Sequence, residues 1–325
     1  MTPAAPATPS PARRADLRLV VAGVTPVAED VRQLTLVPAG GDRLPSHPPG
    51  SHLGLRWRPG RVNSYSLTGD GDCPAAYTVS VLRTQDSRGG SAWAHGLRAG
   101  DQVDAIAPRS TFPVAAKARR HLLVAGGIGI TPLLSHARWH RKWAGDFTLY
   151  YSHRPGRGAH LGELRSLCGG RLRGYENRDA LWADLGPALA RQPLGTQLYV
   201  CGPLSMIDAV TAAAKGAHWA GSRIRSEAFG ASADGPRAPF RATLAVAGRH
   251  IDVPAEETLL EALERAAVPV PSMCRSGVCG ECRTPVTGGR VDHRDLVLSA
   301  AEKESGNWIM PCVSRAAGGE LELAL

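Results

Sequence analysis

Three cysteines spaced C-x4-C-x2-C, with a fourth far downstream, constrain this chain more than any other feature. Cys274, Cys279 and Cys282 stand inside PSMCRSGVCGECRT, and Cys312 follows in MPCVSRA. This is the spacing with which four thiolates hold a 2Fe–2S cluster, because soft, charged sulfur stabilises ferric iron bridged by sulfide. Gly277 and Gly280 fall between the ligands, where the loop must bend tightly and aim backbone N–H groups at the sulfurs. Structural zinc asks for two C-x2-C knuckles, and here Cys312 stands alone. A disulfide framework goes with export, whereas MTPAAPATPSPARR has no apolar stretch before its arginines and reads as a disordered tail. Such a cluster passes one electron at a time, so the chain is expected to move electrons.

With 325 residues the chain has room for two or three domains, each with its own core. No segment approaches the run of about 18 apolar residues that spans a membrane. Cys73, Cys168 and Cys201 form no paired pattern, which suits a reducing compartment and a cytoplasmic location. The net charge is +9, a balance that raises the question of nucleic acid, but no aromatic-basic interleaving or recognition module supports it. The charge is uneven. Residues 238–325 hold nine Lys/Arg and twelve Asp/Glu, a net of −3, and the remainder carries +12. A basic body joined to an acidic cluster domain suggests internal electrostatic docking and attraction for an anionic cofactor.

Texture divides the chain further. Residues 1–14 are the tail. Over 15–116, LRLVVAGV, VRQLTLV and YTVSVLR are strand-like runs broken by Gly and Pro, which predicts a small β-barrel. Over 117–229, HLLVAGG, TPLLSHARWHRKW, FTLYYS and TQLYVCGP alternate strand and helix, an α/β nucleotide-binding pattern. GASADGPRAP, residues 230–239, reads as a linker. From 240 to 325, FRATLAVAG and the segment around Ile251 suggest a hairpin. TLLEALERAAV then opens with Thr258 and Glu261 as a capping box. A late strand is expected over Glu320 to Leu325, completing a small α+β unit.

Two glycine-rich turns carry the nucleotide chemistry. In LLVAGGIGITP, a strand runs through Gly126, Gly127 and Gly129 into a helix opened by Thr131 and Pro132. Glycines let the backbone approach a pyrophosphate at the helix N-terminus, and Pro is tolerated in the first turn. Pro132 occupies the third glycine position of the usual dinucleotide fingerprint. QLYVCGP ends another strand on Cys201, Gly202 and Pro203, where a small polarisable thiol suits the face of a nicotinamide. The alternative for Cys201 is an ordinary buried core cysteine. Upstream, NSYSLTG supplies Asn63, Ser64, Tyr65 and Ser66, and RGGSAW supplies Gly89, Gly90 and Ser91. An aromatic ring, hydroxyls and turn N–H groups are what a flavin requires, although Tyr65 alone could be a barrel core residue.

Taken in order, these blocks resemble the phthalate dioxygenase reductase and vanillate demethylase reductase family. The likeness runs from about residue 16 to 325 through YSLTG, RGGS, VAGGIGITP, CGP, SEAFG, the cysteine loop, DHRDLVL and MPCVSRA. It implies a multi-domain α+β and α/β architecture: a flavin-binding β-barrel, an α/β nicotinamide domain and a C-terminal β-grasp ferredoxin. It implies FMN on Tyr65, Ser66, Gly89, Gly90, Ser91 and Phe229, and a nicotinamide cofactor on Gly126–Pro132 and Cys201–Pro203. The family's flavin-phosphate arginine falls on Asn63, leaving Arg61 or Arg83 to supply that charge and FAD as an alternative flavin. Arg154 and Arg157, with no carboxylate in YYSHRPGRG, could accept a 2′-phosphate, so NADPH stands beside the NADH that the resemblance implies.

The activity implied is that of a monomeric reductase. NADH gives a hydride to the flavin beside Cys201, and electrons pass singly through the cluster to a separate terminal oxygenase or demethylase. A Rieske non-haem iron partner is expected. A haem monooxygenase partner and a redox sensor are the alternatives. Neither nucleic acid nor membrane is expected as a partner.

Overall fold

The computed structural model describes residues 16–84, 89–191, 193–230 and 237–325. The expected tail lies outside them, as does most of the expected linker.

Six strands build the first domain: β1 (Asp16–Ala28), β2 (Val31–Pro38), β3 (Ser51–Arg58), β4 (Arg61–Ser66), β5 (Tyr77–Leu82) and, after helix α1 (Gly90–Gly96), β6 (Gln102–Ser110). They run in the order β4-β3-β6-β1-β2-β5. A bridge between Leu67 and Val79 joins the two ends, and Thr68 N donates to Thr78 O at 2.9 Å. The sheet thus closes on itself as the sequence predicts. Period-two alternation fills it: Leu34 and Leu36 of β2 meet Val79 and Val81 of β5 and Leu53 and Leu55 of β3 in one core.

The second domain alternates β7 (Arg120–Gly126), α2 (Ile130–Lys142), β8 (Phe147–Ser152), α3 (Leu161–Cys168), β9 (Leu172–Tyr175), α4 (Arg178–Ala190), β10 (Thr196–Cys201), α5 (Leu204–Gly216) and β11 (Ile224–Glu227). All pairings are parallel, in the order β11-β10-β7-β8-β9. Its central strands are apolar on both faces because helices cover both. Leu123 and Ala125 of β7 pack with Ile130, Leu133 and Leu134 of α2. Leu122 and Val124 pack with Leu181 and Leu185 of α4 and Val210 of α5. The chain leaves β7 toward β8 and returns to β10 on the other side, so the crevice between β7 and β10 is the topological switch point where such sheets bind ligands.

The third domain contains β12 (Phe240–Leu244), β13 (Arg249–Val253), α6 (Leu259–Arg265), β14 (Thr284–Asp292), α7 (Ala300–Ser305), β15 (Trp308–Ile309) and β16 (Arg315–Leu323). The order is β13-β12-β16-β14-β15, with β12 and β16 parallel. Thr258 and Glu261 form the capping box read from the sequence, and α6 buries Leu259, Ala262 and Leu263 against the sheet. The late strand starts at Arg315, five residues before the expected Glu320, because Ala316 and Arg315 already pair with Val291 and Asp292. The cysteine loop lies between α6 and β14. DHRDLVL braces it: Leu296 N donates to Gly277 O at 2.9 Å, and buried Asp295 accepts from Leu298 N at 2.8 Å.

Candidate functional site

One cavity of about 880 Å³ opens where the three domains meet. The barrel contributes Trp57, Asn63, Ser64, Tyr65, Ser66, Gly90 and Ser91 to its wall. The nicotinamide domain contributes Ile128, Thr131, Leu204 and Glu227, followed by Phe229 after β11. The third domain contributes Cys274, Arg275 and Cys279. Residues far apart in sequence therefore share one space.

On the barrel side, β4 carries Asn63, Ser64, Tyr65 and Ser66, and the Gly89–Gly90 turn folds over it. Gly89 sits at φ +111, a left-handed geometry suited to glycine. A side chain at Gly90 would come within 2.1 Å of Asn63 Nδ2. Asn63 therefore lies against the turn. Its amide is engaged: Trp57 Nε1 donates to Oδ1 at 3.2 Å, and Nδ2 donates to Tyr65 OH at 3.3 Å. Burial pushes the Tyr65 phenol up, with the Asn63 bond acting in the opposite direction, so Tyr65 stays neutral. Ser64 Oγ is buried without a hydrogen-bond partner among the described residues. A polar, partly aromatic wall with an unanswered hydroxyl fits a flavin.

The two charges proposed for the flavin phosphate part company. Arg61 lines the cavity but pairs with Glu261 at 3.5 Å. Arg83 is exposed and absent from the wall, its backbone N donating to Asp30 O at 2.8 Å. Arg88 lies outside the described residues.

The glycines after β7 have a different first duty from the one read in the sequence. A Cβ at Gly129 would fall 2.2 Å from Cys201 O, and one at Gly126 would meet Met206 Sδ at 2.5 Å and Pro203 Cδ at 2.9 Å. A Cβ at Gly202 would lie 3.0 Å from Gly126 Cα. Gly129 is thus required for the GGIGITP and CGP loops to touch, and Gly126 and Gly202 let them pack closely. Gly127, at φ +53, has open space where a Cβ would stand. Thr131 caps the turn by donating to Ile128 O at 2.9 Å, and Pro132 occupies the first turn of α2.

Cys201 is the last residue of β10. Its side chain is fully buried and absent from the cavity wall. Burial, then the neighbouring Glu227 carboxyl, raises its thiol well above the ordinary range. It packs in the core with Tyr199 and Ala125. Its neighbour Glu227 is the group the sequence reading missed. It lines the cavity, accepts from Thr111 Oγ1 at 3.3 Å and leaves Oε2 buried without a partner among the described residues. Burial pushes its pKa up to about 7, with the Thr111 bond pulling the other way. The only local signal was its position in SEAFG, two residues before Phe229.

Arg154 follows β8 on the surface, away from the cavity wall. Arg157 is engaged with barrel carboxylates, Glu29 at 3.1 Å and Asp30 at 3.4 Å.

The four cluster cysteines stand as two pairs. Cys282 Sγ and Cys312 Sγ are 3.4 Å apart, and Cys274 and Cys279 interact directly. Among the described residues no three His, Cys, Asp or Glu gather around one point. The set suits two irons, each held by two thiolates, better than a mononuclear zinc. Backbone N–H groups turn toward the sulfurs, Ser276 N reaching Cys274 Sγ at 3.4 Å. Cys282 and Cys312 are buried with Leu260, Leu298 and Met310, whereas Cys274 and Cys279 are partly exposed and face the shared cavity.

Comparison with known proteins agrees with this geometry. Residues 243–317 match the model of the 2Fe-2S iron-sulfur cluster binding domain. Residues 103–224 match that of the dimethylamine monooxygenase subunit DmmA-like N-terminal domain. The chain is 42% identical to the heme-dependent oxidative N-demethylase beta subunit of Ectopseudomonas mendocina (strain ymp), over 87% of this chain and 90% of that one. It is 36% identical to the phthalate dioxygenase reductase of Burkholderia cepacia, over 95% and 97% of the two chains. A solved phthalate dioxygenase reductase, described as a modular structure for electron transfer from pyridine nucleotides to [2Fe-2S], superposes with a TM-score of 0.80 and 35% identity, covering 95% of this chain and 98% of that one. The chain belongs to the phthalate dioxygenase reductase family and is an electron-transferring oxidoreductase with a 2Fe–2S domain.

Proposed function

We propose that this chain draws one hydride from NADH into FMN and passes its two electrons singly, through its 2Fe–2S cluster, to a terminal oxygenase. The observation that carries this reading is the single cavity walled by flavin-type residues, nicotinamide-loop residues and two cluster cysteines. When bound, the flavin converts a two-electron donor into one-electron steps, and that chemistry belongs to the cofactors. The chain's own residues orient them. Asn63, Ser64, Tyr65, Ser66, Gly89, Gly90 and Ser91 would hold the flavin, with Phe229 beside its ring. Gly126, Gly127, Gly129, Thr131, Pro132, Gly202 and Pro203 would hold the nicotinamide cofactor. Cys274, Cys279, Cys282 and Cys312 would hold the cluster.

NADH is favoured over NADPH by the likeness to phthalate dioxygenase reductase; of the two arginines after β8, Arg154 is exposed and Arg157 pairs with Glu29 and Asp30. No helix among the described residues is long and apolar enough to cross a membrane. We place the reductase in the cytoplasm, as a monomer.

The oxygenase at the end of the relay has two readings. A Rieske non-haem iron enzyme follows from the family resemblance. The 42% identity to a haem-dependent N-demethylase subunit and the dimethylamine monooxygenase family match favour a haem oxygenase that removes N-alkyl groups, and we adopt that reading. An anaerobic visible spectrum of the purified protein, before and after NADH, tests the relay. Flavin bands over broad cluster absorption, both bleaching with NADH, are expected. A cluster without flavin overturns the reading. Transfer to purified haem and Rieske oxygenases then decides the partner.

A further inference from the structure

Arg275 follows directly on Cys274, and its backbone stands at φ +52. A long side chain in the left-handed region is uncommon and persists where its surroundings over-determine it. The surroundings here belong to two domains. The guanidinium is 8% exposed and pairs with Glu264 of α6. The same nitrogen, Nη2, donates to Gly60 O at 3.3 Å. Gly60 is in the turn joining β3 to β4, the two strands that bring Trp57, Asn63 and Tyr65 to the cavity wall. One side chain therefore links the backbone beside a cluster ligand to the backbone of the flavin-side hairpin.

Two further ion pairs flank it. Arg61 of β4 meets Glu261 of α6 at 3.5 Å, and Arg109 of β6 meets Glu281 of the cysteine loop at 3.2 Å. Their partners are 20–38% exposed, so salt screens them and each holds weakly. The Arg275 guanidinium, at 8% exposed, is the most buried of the three donors, and Glu264 already orients it. A charged donor makes a stronger hydrogen bond than a neutral one, and a buried guanidinium gives up fewer of its orientations to solvent. Of the three, this contact is the one able to set a distance.

We propose that Arg275 is the positioning residue that seats the cluster loop on the flavin-side hairpin and so sets the rate at which electrons cross from flavin to cluster. Arg61 and Arg109 guide the domain onto that seat. The inference rests on the relay proposed above.

The test uses the complete protein with flavin and cluster loaded, mixed anaerobically with NADH in a stopped-flow instrument. Flavin and cluster bleaching are read separately. In Arg275→Met the cluster phase slows by roughly tenfold or more, the order expected of a small misplacement, while the flavin phase keeps its rate. The midpoint potential and EPR line shape of the cluster stay as in wild type. Arg275→Lys keeps a charged donor and recovers most of the cluster phase. An intact cluster with an unchanged cluster phase in Arg275→Met overturns the proposal, as does a slowdown that Lys does not relieve. Should Arg275→Met fail to take up its cluster, Glu264→Gln, outside the loop, decides. It should slow the cluster phase selectively, and an unchanged phase overturns the proposal. Failure of the flavin to bleach with NADH in wild type would instead overturn the relay.

Discussion

Cys201 and Glu227 face each other across adjacent parallel strands, paired in register at the ends of β10 and β11, yet only the carboxyl reaches the cavity. Burial holds Glu227 at about 7 instead of 4.5. Between those values the folded protein keeps a proton that the unfolded chain has released, so stability falls as pH rises through the window. Glu227→Gln removes that dependence. Between about pH 4 and about pH 8 its stability should gain on wild type by on the order of 3 kcal/mol. Denaturant melts across that range check it, and parallel profiles would refute it.

A second pH dependence has the opposite sign. His140 stacks on Phe147 at 5.0 Å and lies 4.4 Å from His121, with neither ring nitrogen hydrogen-bonded among the described residues. Burial first, then His121 and His136, pulls its pKa down to about 3. The unfolded chain takes up a proton below about 6.5 that the folded protein refuses, so stability is lost as pH falls toward 3. His140→Phe should match wild type at pH 8 and exceed it by about 2 kcal/mol at pH 5. Thermal melts at the two pH values read the difference.

The nucleotide loop offers a contrast between two glycines. Gly129→Ala drives a methyl group into the Cys201 carbonyl and should prevent the loops from meeting, with loss of soluble protein or more than about 3 kcal/mol of stability. Gly127→Ala meets no atom and bears only the left-handed backbone cost, about 1 kcal/mol. Measuring both stabilities separates steric closure from backbone strain.

Cys279→Ser should abolish cytochrome c reduction while leaving NADH–ferricyanide turnover largely intact, because ferricyanide can draw on the flavin directly. Loss of both activities would mean that the ferredoxin domain is not separable from the rest.

Much of this was legible in the sequence because it is local. The cysteine spacing marks its loop, Thr258 and Glu261 announce α6, and two-sided apolar strands such as HLLVA announce a parallel sheet. What escaped depends on tertiary approach. Glu227 looks like an ordinary edge-strand acid until Thr111, 116 residues away, closes over it. Arg275 reads as a charged loop residue until Gly60 arrives from 215 residues away. The burial of Cys201 could not be read from CGP alone, because it depends on the pairing of β10 with Ala125 of β7 and Glu227 of β11. The charge asymmetry did foreshadow the contacts of Arg61 and Arg109 with the acidic domain, though not which carboxylates they meet.

The barrel and nicotinamide domain are joined by buried bonds: Gly50 N donates to Ser135 Oγ at 3.0 Å, Phe112 O accepts from His136 Nε2 at 2.9 Å, and Ser80 Oγ lies 2.8 Å from His160 Nε2. The ferredoxin domain is seated on the barrel largely through charged side chains. Heated in a calorimeter, such a molecule should not melt as one body. Raising the salt concentration should pull the ferredoxin endotherm away from that of the first two domains, which would continue to unfold together.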